Sequence, residues 1–127
     1  MTQPSPADQL RTAADKLRVV ATAAETKRPG RWAPGAAGSV ISPRKGGVDY
    51  VTPHTIPDGP EVAAYIALMG TDVGRATVTL LDAAAALVDA YPELGDDHDR
   101  EACDDYACDL VAATLAVARQ ILGEDTP

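Results

Sequence analysis

Phenylalanine and asparagine are absent from this chain of 127 residues, and only five of its side chains are aromatic. A thick aromatic core is therefore excluded. The two cysteines, Cys103 and Cys108, are too few for a disulfide scaffold and fit two ordinary thiols in a reducing compartment. Long hydrophobic runs are missing as well. The uncharged apolar stretch 110–118 falls far short of the ~20 residues that a membrane span needs. The opening "MTQPSPADQ" has neither a basic start nor an apolar run, so no signal peptide is expected and a cytoplasmic location is. Several reactive signatures are lacking too: a Gly-Lys-Ser/Thr phosphate loop, a Gly-x-Ser-x-Gly elbow, a His-Glu-x-x-His helix and an EF-hand loop. No cofactor is expected.

What is present is alanine, which supplies 24 of the 58 apolar residues. Alanine is the strongest helix former and lets helices approach closely. Arginine outnumbers lysine eight to three, a composition suited to a GC-rich genome. Charge is unevenly placed. Residues 1–57 carry eight Lys/Arg against four Asp/Glu, whereas residues 58–127 carry three against fifteen. The net charge of −8 makes non-specific nucleic-acid binding a poor prospect. The basic half is free to meet a small anion, a nucleotide or an acidic partner.

The pattern predicts one α+β domain over 1–127, mostly helical, with four helices and a small antiparallel β-hairpin insert between helices 1 and 2. Helix 1 is expected over 5–26, with Ser5 as N-cap, Pro6 at the first helical position, and Leu10, Ala14, Leu17, Ala21 and Ala24 along one face. "KRPG" ends it. The Gly- and Pro-rich stretch 31–57 contains two strand-like runs, 38–42 and 48–52, joined by "PRKGG", with a third extended piece around Trp32. Helices follow over 60–70, 72–91 and 96–122, before a tail at 123–127. The expected apolar faces are Val62, Tyr65, Ile66 and Met69 on the second helix; Val73, Thr77, Leu80, Ala84, Leu87 and Tyr91 on the third; and Cys103, Ala107, Leu110, Thr114, Val117 and Ile121 on the fourth. The last two helices are expected to form an antiparallel pair.

The stretches "RPGRW" (28–32), "PEVAAYIALMGTDVG" (60–74), "TLLDAAAAL" (79–87) and "ATLAVARQILG" (113–123) carry a resemblance. In this order they resemble a diffuse set of small uncharacterised proteins of actinobacterial genomes and their phages, marked by a TPGPW-like turn and a YIAxMGP-like helix. They are also similar to the lambdoid phage ead-like early proteins. This chain departs from the pattern at Arg31 and Thr71, where those proteins commonly carry proline. The resemblance implies a soluble phage or mobile-element accessory protein and carries no catalytic residue with it.

Three residue groups invite a chemical reading. His98, Glu101 and Asp105 fall on one helical face at steps of three and four, which suits a divalent cation and a metal-dependent enzyme. Acidic residues at a helix N-terminus need no metal to explain them, so no metal site is assigned. A thiol nucleophile from Cys103 or Cys108 with His54 or His98 as base lacks any sharpening motif. Lys27, Arg28, Arg31, Arg44 and Lys45 would form one patch near Trp32 if the hairpin folds back beside the end of helix 1. That set is the tentative ligand site, for a nucleotide, another small anion or a short single strand. Trp32 itself is expected chiefly to plug the space between hairpin and helices. The leading expectation is a non-catalytic accessory protein that binds a host protein and forms a homodimer through its alanine-rich helices. An anion-binding sponge is the alternative.

Overall fold

The computed structural model describes residues 4–52, 59–95 and 106–124. It is an α+β fold, mostly helical. Helix α1 (Pro6–Lys27) is followed by strands β1 (Ala33–Pro34), β2 (Val40–Arg44) and β3 (Gly47–Tyr50), then by helices α2 (Gly59–Met69), α3 (Thr71–Ala90) and α4 (Tyr106–Leu122). Short 3-10 turns occupy Ala36–Gly38 and Pro92–Gly95. The strands form an antiparallel sheet in the order β1-β2-β3, so the extended piece expected near Trp32 is present as β1. Expected positions 53–58, including His54, and 96–105, including His98, Glu101, Cys103 and Asp105, lie outside the described residues.

Local chemistry explains the boundaries. The Ser5 hydroxyl accepts the Asp8 N–H at 3.2 Å, the N-cap bond expected of that serine. α4 ends in a Schellman arrangement: the Glu124 N–H donates to the Arg119 carbonyl at 2.8 Å, and Gly123 takes a positive φ of 75°. α3 begins one residue earlier than expected. Gly70 stands before its first turn and accepts the Gly74 N–H at 3.1 Å, leaving Thr71 inside the helix.

The chain divides into two compact units: residues 1–18 with 77–127, and residues 19–76. In the first, Leu10, Ala13 and Ala14 of α1 meet Val78, Leu81, Ala84, Ala85 and Val88 of α3 and Cys108, Val111, Leu115 and Ala118 of α4. The core is thus a three-helix assembly in which α1 joins α3 and α4. Arg11 pairs with Asp89, and Arg18 pairs with Asp82 at 2.7 Å, so α1 and α3 run antiparallel here. The Asp89 hydrogen bond is the main cause raising the Arg11 pKa above its ordinary value. Gln9 is buried; its amide donates to the Pro4 carbonyl, and its Oε1 accepts the Arg119 Nε–H at 3.2 Å.

Two helical faces differ from the expected ones by a single residue. Leu80 on α3, Tyr91 just beyond its end, and Leu110 and Val117 on α4 are exposed. Their successors Leu81, Val111 and Ala118 are buried instead. Apolar residues surround these alanine-rich helices so fully that two adjacent faces satisfy the same periodicity. Asp82 and Asp89 break the tie for α3, because pairing with α1 turns the 78/81/85/88 face inward.

The second unit has a lean interior. Its core cluster contains Val40, Ala63 and Ala67 as buried members, with Trp32, Val51 and Ile66 packed partly against them. On α2 the expected face is again corrected: Ala63 and Ala67 point inward, while Tyr65 and Met69 are exposed. Small side chains occupy the closest approach to the sheet, so the larger ones are displaced outward. The hairpin follows the same rule. Val40 and Ser42 are buried, whereas Val48 and Tyr50 on β3 are exposed. Arg75 of α3 pairs with Glu25 of α1 within this unit.

Candidate functional site

The six residues of the basic set around Trp32 all lie in the second unit, and the fold assigns them different tasks. Lys27 is the last residue of α1 and is exposed. Arg28 follows it and acts as a clip: its Nε donates to the Tyr50 carbonyl and its Nη1 to the Lys27 carbonyl, each at 2.7 Å. The Ser42 hydroxyl donates to the Pro29 carbonyl. These bonds seat the "KRPGRW" turn beside the sheet, as the folded-back hairpin requires. Gly30 makes that turn possible with φ of 92°, a conformation that side chains resist.

Arg44 and Lys45 sit at the other end of the hairpin. The register pairs Ile41 with Tyr50 and Arg44 with Gly47, which places Arg44 about 10 Å farther along the strand. Arg44 is paired across the hairpin with Asp49 at 3.5 Å. Lys45 and Gly46 form the tight turn, where Gly46 has φ of 87°. The six residues are therefore close in the chain but do not converge on one spot.

Arg31 and Trp32 line a concavity. A groove of about 420 Å³ is lined by Arg31, Trp32, Ala33 and Pro34, by Ala64, Ala67 and Leu68 of α2, and by Gly70, Thr71, Asp72 and Val73 at the start of α3. Its volume falls within the ~300–1,000 Å³ of small-molecule sites. Trp32 forms one wall. It is half-buried, and its indole N–H donates to the Arg28 carbonyl at 3.0 Å. Its ring lies close against Gly70, where an added Cβ would come within 3.3 Å of the ring. The indole thus plugs the space between hairpin and helices and also walls the groove.

Charge in the groove is split. Arg31 and Asp72 both line it, and neither makes an ion pair or hydrogen bond among the described residues. Thr71 is 5% exposed and lines the groove as well. Sequence reasoning found Arg31 and Trp32 but missed Leu68 and the α2–α3 junction. The signal was the "MGTD" stretch, where one helix stops and the next starts around a single glycine.

Among the described residues, no group of three His, Cys, Asp or Glu side chains is placed to hold a metal ion. Cys108 is buried in the first unit's core, as expected of a small core hydrophobe. Among the described residues, no helix is long and apolar enough to cross a membrane. No protein-family model, curated protein or solved structure matches the chain.

Proposed function

We propose that this chain is a non-catalytic accessory protein that acts by binding another protein through residues 19–76. The supporting observation is the inverted composition of that unit. Its core cluster buries one valine and two alanines, while Val19, Val20, Val48, Tyr50, Tyr65, Leu68 and Met69 are exposed. Exposed apolar groups that form a contiguous patch mark an interaction surface, and these seven side chains are the candidates for one. Residues 19–52 carry five Lys/Arg against two Asp/Glu, so the partner that fits is apolar at its centre and acidic at its rim.

A second copy of the chain has the acidic character required, since residues 58–127 carry fifteen Asp/Glu against three Lys/Arg. Leu80, Leu110 and Val117 remain exposed on α3 and α4 and support the homodimer reading as well. The phage or mobile-element context rests on the sequence resemblance.

The test is a Tyr65→Ser, Leu68→Ser double variant in a pull-down from a plausible host, with sedimentation of the purified chain alongside. Both side chains are about two-thirds exposed, at 65% and 68%, so thermal stability is expected to stay within about 0.5 kcal/mol of the parent. The parent is expected to retain a discrete partner or to self-associate, and the double variant to lose it. A parent that stays monomeric and alone, or a variant that retains the same partner, refutes the reading.

A further inference from the structure

Beyond partner binding, the groove between Trp32 and the α2–α3 junction has the chemistry of a small-molecule site. We propose that it binds a free α-amino acid with an apolar side chain. The ligand class follows from three features of the lining. Trp32, Ala64, Ala67, Leu68 and Val73 give an apolar floor and walls that suit a branched or aromatic side chain. Arg31 offers a carboxylate a cation. Asp72 lines the same groove and offers an ammonium its counter-charge.

A simple anion answers only half of this lining, because Asp72 would repel it. A neutral apolar ligand leaves both charges unanswered. Arg31 and Asp72 do not pair with each other although they share the groove, so a dipolar ligand satisfies both at once.

The sole tryptophan is the groove's own reporter. The intact chain is titrated with L-leucine and L-phenylalanine while Trp32 emission is followed, up to about 10 mM. Leucinamide lacks the carboxylate, N-acetylleucine lacks the ammonium, and inorganic phosphate and AMP present anions alone. Leucine or phenylalanine is expected to give a saturable change, with each blocked form weaker by about tenfold, as loss of one charged contact implies. Arg31→Gln is expected to erase the preference for leucine over leucinamide, and Asp72→Asn the preference for leucine over N-acetylleucine. Both are exposed positions, and a circular-dichroism melt of each variant verifies that it is folded. Absence of any saturable change overturns the proposal. So does equal binding of the blocked forms, preferences that survive in folded variants, or phosphate or AMP binding as tightly as leucine. None of these outcomes bears on the pull-down result, so the two readings fail separately.

Discussion

Gly70 and Gly74 stand four residues apart at the start of α3, and replacing each by alanine is expected to move stability in opposite directions. At Gly70 the new Cβ would lie 3.2 Å from the Ala67 carbonyl oxygen and 3.3 Å from the Trp32 ring. Both contacts are tighter than ordinary packing, so a neighbour must shift by a few tenths of an ångström. The Ala67 oxygen belongs to the last turn of α2 and accepts the Gly70 N–H at 3.3 Å, which leaves the indole to move, toward the groove. Overpacking of this kind costs about 1–3 kcal/mol, and alanine is a poorer N-cap than glycine. The stiffer unfolded chain returns about 0.4–1 kcal/mol. The net expectation is a loss of about 1–2 kcal/mol. At Gly74 the Cβ would rest 3.6 Å from the Ala21 Cβ, an ordinary contact, inside a helix where alanine gains about 0.8–1 kcal/mol over glycine. The two variants should thus differ by about 2–3 kcal/mol, or roughly 8–12 °C in Tm at about 4 °C per kcal/mol. Urea and thermal unfolding followed by both circular dichroism and Trp32 emission measure this. The emission spectrum of native Gly70→Ala should also differ from that of the parent. Stability changes of the same sign in the two variants, or a Gly70→Ala protein with unaltered stability and emission, would refute the packing argument.

Leu81 is fully buried at the centre of the α1–α3–α4 core, so Leu81→Ala is expected to cost about 2–5 kcal/mol, much of the ~5–15 kcal/mol typical of a native domain. A thermal melt checks it, and a loss below about 1 kcal/mol would show the core to be misplaced. Cys108 is 4% exposed, so in a Cys103→Ser background a thiol reagent should label it only after unfolding. Fast stoichiometric labelling of the native variant would place Cys108 at the surface.

The order of elements was readable in the sequence because its signals are local. Ser5 and Pro6 mark the start of α1, "KRPG" its end, and Gly70 the break between α2 and α3, each through backbone chemistry confined to a few residues. The hairpin was readable from β-branched runs on either side of Lys45-Gly46-Gly47. The helical faces were less so. Bulky residues ordinarily mark the buried side, but here Ala63 and Ala67 hold the close approach and Tyr65 and Met69 face away. The groove was half readable. Arg31 and Trp32 stand next to an obvious turn, while Leu68 and Asp72 join them only through the fold of a chain some 36 residues farther on. Nothing in local spacing reports such a meeting.

Helix α2 keeps its methyl groups against the sheet and shows its distinctive side chains to the outside. Selection is therefore constrained where the sequence looks plain and free where it looks characteristic. Ala63 and Ala67 are buried in the unit's core, whereas Tyr65 and Met69 can be exchanged without disturbing what lies beneath. A lineage built this way can change what it grips and still stand in the same shape.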